Sequence, residues 1–239
     1  MKKILIYGGS GGIGRRVGEI LVAQGVRVHV AGRNREALEE TAEALEASYT
    51  VGDAQDPAFF AQAAAEAGDI DGLVYAIGTI NLKSLARFTP EEIDRDFQVN
   101  ARGAALAVAA SLQSLKSNEG SSVVLFSSVA AVQGFTNHVS VSLAKGAVSG
   151  LTLALAAELA PKVRVNALAP SLIRTPLAAA LLSNAQLETA IAGMHGLPRL
   201  GTPDDVAQAA VFLLSEHSSW VTGQIWGIDG GRSSLRIKA

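Results

Sequence analysis

The run Gly8-Gly9-Ser10-Gly11-Gly12-Ile13-Gly14 constrains this chain more than any other segment. It separates a short apolar stretch, residues 2–7, from Ile13-Gly14-Arg15-Arg16-Val17-Gly18-Glu19-Ile20-Leu21-Val22. Across it the hydrophobic period changes from strand-like to helical, and Gly25 closes the helix. Both Gly8-x3-Gly12-x-Gly14 and Gly9-x-Gly11-x2-Gly14 can be laid on the run. In either register no Cβ stands between a bulky anion and the amides of the helix start, which makes this a candidate pyrophosphate cradle.

Strand and helix signals go on alternating downstream. Strands are expected at residues 26–31, 49–51, 73–77, 122–127, 163–168 and 224–229, and helices at 34–47, 57–67, 139–160 and 203–214. Thr89-Pro90-Glu91-Glu92 carries the cap, the proline and the reaching carboxylate of a helix start, and that helix runs to about residue 116 with a break near Asn100. This order predicts an α/β fold, a Rossmann-like doubly wound parallel sheet of about seven strands with helices on both faces. No linker or repeat divides the chain, so residues 1–239 are expected to form one domain, with an apolar substrate lid at 171–200.

Composition narrows the class. At 239 residues, with 49% hydrophobic and 18% charged side chains, the chain can bury a large core. A net charge of −2 offers no footprint for nucleic acid or an anionic membrane. There is no cysteine, which excludes disulfide and thiolate chemistry. The first apolar run stops at Gly8, too early for a signal peptide, and no uninterrupted apolar run reaches the ~18 residues of a membrane span. A cytoplasmic protein without nucleic-acid or membrane partners is expected. His29, His195 and His217 share no ligand spacing, so no metal site is expected.

The end of the second strand bears on the nucleotide. A carboxylate about twenty residues beyond the glycines would grip a ribose 2′-hydroxyl. Here Arg33 stands in Ala31-Gly32-Arg33-Asn34, and a guanidinium pairs with a 2′-phosphate that a carboxylate would repel. NADP(H) is therefore preferred, with NAD(H) left open. Asp53, just past the third strand, is placed to meet an adenine amino group or to serve as a turn residue.

Further on, Ser128 lies thirteen residues before Val141, and Lys145 lies one helical turn after it. Together with Phe97-Gln98-Val99-Asn100, Tyr75-Ala76-Ile77-Gly78, Arg164-Val165-Asn166-Ala167-Leu168-Ala169-Pro170 and the closing Val221-Thr222-Gly223 and Asp229-Gly230-Gly231, these residues resemble the short-chain dehydrogenase/reductase family over essentially the whole chain. Three positions depart from its pattern: Tyr7 replaces a threonine, Ser171 a glycine, and Val141 the catalytic tyrosine.

The resemblance implies an oxidoreductase acting on a small alcohol or carbonyl. Ser128 would orient the substrate oxygen, Lys145 would hold the nicotinamide ribose, and Asn100 would hold a water joined to the lysine. Gly8, Ser10, Gly12, Ile13, Gly14, Ala76, Gly78, Pro170, Ile173 and Thr175 would contact the cofactor. Valine has no proton to give, and losing a general acid costs about 10²–10⁴ in rate. Three outcomes are open: a cofactor-binding protein with little turnover, an oxidoreductase whose proton comes through water from Lys145 or from His138, or a site repurposed to bind a ligand or partner. The apolar segment after Pro170, with Gly193 and Gly196 as hinges, suits an apolar or acyl-bearing small molecule. Small-residue faces at 104–110 and 144–157 are expected to pair subunits in a homotetramer or homodimer.

Overall fold

Successive side chains of the first strand, β1 (Lys3–Tyr7), face opposite ways. Ile4 and Ile6 enter one apolar cluster and Leu5 and Tyr7 another, so β1 must be covered on both faces. The computed structural model describes residues 2–236 and shows β1 in the interior of a seven-stranded parallel sheet, third in the order β3-β2-β1-β4-β5-β6-β7. The other strands are β2 (Arg27–Gly32), β3 (Ser48–Val51), β4 (Gly72–Tyr75), β5 (Ser121–Phe126), β6 (Val163–Pro170) and β7 (Ile225–Ile228).

Helices α1 (Gly12–Ala23), α2 (Arg35–Leu45) and α9 (Pro203–Leu214) cover the Ile4 and Ile6 face. On the other face lie α3 (Pro57–Ala67), α5 (Gly103–Ser117) and α6 (Val139–Leu159). Tyr7 and Tyr75 belong to this second core: their hydroxyls donate to the carbonyls of Phe60 (3.4 Å) and Val99 (2.6 Å). Both are therefore turned away from the strand ends.

Local signals set most element ends. Asn34 caps α2 through Ala37 N–H, and Asp56 caps α3 through Ala58 N–H. Thr89 and Thr202 start α4 (Pro90–Phe97) and α9 with full capping boxes, completed by Glu92 and Asp205. The break expected near Asn100 is a π-helical turn, Gln98–Arg102, between α4 and α5. The apolar segment after Pro170 contains the short α7 (Ala179–Leu182) and α8 (Ala185–Gly193).

By length and mean hydropathy, 1.5 over its most apolar window, α6 could cross a membrane. Here it lies on the sheet through Ala144, Val148, Ala156 and Leu159, while Val139, Leu143 and Leu153 remain exposed.

Sheet order fixes where a ligand can go. The chain leaves β1 toward β2 and β3, then returns to place β4 on the other side of β1. The loops that follow β1 and β2 therefore part from those that follow β4 and β5, and a crevice opens over Gly8 and Ala76.

Candidate active site

The glycine turn owes its shape to two contacts. Gly8 adopts φ +79°, its N–H donates to Ala31 O (2.7 Å), and a Cβ there would lie 2.9 Å from the Ala76 carbonyl carbon. A Cβ on Gly14 would lie 2.2 Å from Gly8 O, so α1 can start this close to the turn only without one. The start of α1 has no side-chain cap and no acidic residue in its first turn. Its N–H groups are left for an external anion.

A cleft of about 500 Å³ opens over this turn. Ten of the residues expected at the cofactor line it: Gly8, Ser10, Gly12, Ile13, Gly14, Arg33, Asp53, Ala76, Gly78 and Thr175. Arg33 forms no ion pair among the described residues. Asp53 spends one carboxylate oxygen on Gln55 N–H (2.9 Å), a turn-forming bond that leaves the other oxygen available. Arg95 of α4 also lines the cleft. It carried no sequence signal, because only the return of α4 over the strand ends brings it there.

A smaller cavity of about 150 Å³ continues the cleft past Gly78. Ser128, Val141, Lys145, Pro170, Ser171 and Ile173 line it. The cradle and the free helix start fit the pyrophosphate of a nicotinamide dinucleotide, with the unpaired Arg33 guanidinium at one end of the cleft and the inner cavity at the other.

Lys145 is buried, and its Nζ donates to Phe126 O at 2.9 Å. Burial pushes its ammonium down to about 8, because the charged form loses water. Asn100 does not line the cavity; it lies behind Gly78, held by the π-helical turn. Its Nδ2 donates to Thr79 Oγ1 and Asp96 O, both at 2.8 Å. Its buried Oδ1 has no partner among the described residues. A Cβ on Gly78 would lie 3.1 Å from that Oδ1 and 3.3 Å from Lys145 Nζ, so both atoms are directed at the same spot. An orphaned acceptor beside an ammonium marks a place for a water or a ligand hydroxyl.

Asp96 is a member of this cluster that the sequence did not disclose. It is buried, and its two carboxylate oxygens accept from Thr79 Oγ1 (2.8 Å) and Ser140 Oγ (2.6 Å). It thus ties α4 and the β4 loop to α6 immediately before Val141. Ser128 accepts Ala130 N–H at 3.1 Å and keeps its own hydroxyl proton for another acceptor. Val141 presents only methyl groups to the cavity. His138 lies just before α6 with Nδ1 2.7 Å from Thr136 O and its ring against Phe135 (5.2 Å), and it does not line the cavity.

Comparison with known proteins agrees with this geometry. A family model described as enoyl-(acyl carrier protein) reductase matches residues 8–233. The chain is 37% identical to a 2,5-dichloro-2,5-cyclohexadiene-1,4-diol dehydrogenase of Sphingobium indicum across 98% of both chains. It is 33% identical to carbonyl reductase family member 4 of Danio rerio over 97% of this chain and 98% of that protein. A short-chain type dehydrogenase/reductase from Mycobacterium ulcerans superposes with a TM-score of 0.93 at 32% identity, covering 98% of this chain and 90% of that one. The chain belongs to the short-chain dehydrogenase/reductase family.

Proposed function

We propose that the protein is an NADP(H)-dependent oxidoreductase that interconverts a small alcohol and its carbonyl, at a rate limited by the missing phenol. The observation that carries this is the continuous groove from Arg33, over the glycine turn, to Ser128 and Lys145. Arg33 pairs with the 2′-phosphate, the α1 start takes the pyrophosphate, and Lys145 holds the nicotinamide ribose. The bound cofactor supplies or accepts the hydride. Ser128, with its proton uncommitted, orients the substrate oxygen, and Val141 keeps bulk water from that oxygen without offering a proton. The apolar wall of Ile173, Leu177 and Ala178 favours an apolar or acyl-bearing substrate, covered by the segment at 171–200.

The protein is placed in the cytoplasm as a homotetramer or homodimer. The exposed Val139, Leu143 and Leu153 on α6 and the fully exposed Trp220 near β7 support that assembly, and sedimentation velocity tests it. Val141 also favours a second possibility, a cofactor-binding protein without useful turnover. NADPH binding by fluorescence, combined with a carbonyl panel on wild type and Val141→Tyr, separates the two. Oxidoreductase function predicts NADPH binding, measurable wild-type turnover and a gain of about 10²-fold on restoring the phenol. Absence of NADPH binding refutes the oxidoreductase. Binding without wild-type turnover leaves the binding protein.

A further inference from the structure

The inner cavity shares Ser171 and Ile173 with a second, open cavity of about 520 Å³ on the side of β7. Behind Ser171, in the wall of that second cavity, lies His195, 2% exposed and clamped between the segment after α8 and the turn at Gly230. A Cβ on Gly230 would approach the His195 ring to 3.5 Å, so the imidazole is packed in place. Its Nε2 lies 2.9 Å from Ser171 Oγ and its Nδ1 lies 3.3 Å from Ala192 O. A carbonyl only accepts, so Nδ1 carries a proton in both charge states of the ring. In neutral His195, Nε2 is therefore the acceptor, and Ser171 donates its hydroxyl proton to it. Arg232 Nη1 donates to the same Oγ at 3.1 Å.

Protonating the imidazole reverses this bond. Nε2–H then donates to Ser171 Oγ, which already accepts from Arg232, and the Ser171 hydroxyl proton is released toward the inner cavity. From these contacts we infer that Ser171, reloaded by His195, is the proton donor that replaces the absent phenol. This inference rests on the oxidoreductase function proposed above. As a hydride from the reduced nicotinamide cofactor forms the new C–H bond, the carbonyl π pair moves onto oxygen and takes the Ser171 proton. Ser171 Oγ takes the Nε2 proton, and His195 ends neutral. It regains a proton from water in the open cavity it lines, and alcohol oxidation runs the same transfers in reverse. Ser171 is the catalytic group and His195 the positioning residue behind it. The charged groups facing the imidazole are Asp229, Arg232 and, across the cavity, the Arg199–Asp205 pair.

The test uses the full chain with NADPH and two probe carbonyls, an aliphatic α-diketone and an acetoacetyl thioester. Expected results are a fall in kcat of about 10²-fold in Ser171→Ala, with NADPH affinity within about twofold of wild type. His195→Gln should lower kcat and change its pH dependence, because the group that reloads Ser171 is gone. Val141→Tyr added to Ser171→Ala should restore turnover, since a phenol makes the serine dispensable. An NMR titration of the His195 ring, which needs no turnover, should shift between wild type and Ser171→Ala. Unchanged kcat and pH profile in both single variants, or loss of turnover in His138→Ala instead, overturns the relay and leaves the oxidoreductase intact. An inactive wild type that binds NADPH, beside an active Val141→Tyr, overturns the relay together with the oxidoreductase and leaves the cofactor-binding protein. If neither wild type nor Val141→Tyr reduces either probe although NADPH binds, the oxidoreductase function fails and the relay with it.

Discussion

Acidification should loosen the β2–β3 edge of the sheet through one buried side chain, His29. This residue is 1% exposed on β2, with Nδ1 2.8 Å from Ser48 Oγ and Nε2 2.8 Å from Thr50 Oγ1. Thr50 gives its own hydroxyl proton to Glu66, so its oxygen is free to accept from His29. The neutral ring therefore carries its proton on Nε2, while Nδ1 accepts from Ser48. Desolvation, helped by the Lys3 charge and partly offset by Glu66, lowers the His29 pKa from 6.5 to about 4. The unfolded chain then binds the proton more readily than the folded one between those two values. Stability is complete above about 6.5 and is lost as pH falls toward about 4. At about 1.4 kcal/mol per pH unit that interval bounds the loss at about 3–4 kcal/mol. For a domain of this size the loss corresponds to a Tm shift of about 6–16 °C. Thermal denaturation of wild type and His29→Gln across the window isolates the effect, because other groups titrate in both proteins. The glutamine variant should lack this component of the pH slope. Superimposable slopes would refute the assignment of a neutral, desolvated imidazole.

Other perturbations act on the groove itself. Gly8→Ala places a side chain at φ +79° and 2.9 Å from the Ala76 backbone, so calorimetry should find NADPH affinity weakened by about tenfold or more. Arg33→Ala removes the proposed 2′-phosphate partner and should cost about 10–100-fold in NADPH affinity, while NADH affinity stays put; equal losses would refute the phosphate assignment. Lys145 loses its charge as pH rises through about 8, so NADPH affinity should decline above that point in wild type. In Lys145→Met the decline should be absent.

Much of the fold was legible because its determinants are local. The two Thr-Pro-acid-acid starts, the glycines after β1 and the apolar runs of β4 and β5 each specify an element within a few residues. Helix α3, expected at residues 57–67, begins and ends there because Asp56 caps it and Pro57 fits its first position. Strand ends were less well marked. Strand β6 continues to Pro170 rather than ending at residue 168, because pairing with β7 extends Ala167 through Pro170. That extension depends on a neighbour far along the chain, which periodicity does not report.

The polar groups around the cavity separate the two kinds of information more sharply. The glycines belong to one turn and Val141 and Lys145 to one helix, with Ser128 just past the end of the strand before it, so short-range sequence signals place them together. Asp96 acquires its role only when Ser140 and Thr79, on two other segments, give it their protons. His138 stands three residues before Val141, yet the helix start turns its ring toward Phe135 and the Thr136 carbonyl. His195 is remote in sequence, but the return of the chain after α8 seats it against Ser171, which lines the same cavity as Val141. An imidazole supplies a proton only along a hydrogen bond that already points to the reacting oxygen. On the proposed relay, closeness in sequence to position 141 therefore matters less than the direction of the nearest hydroxyl.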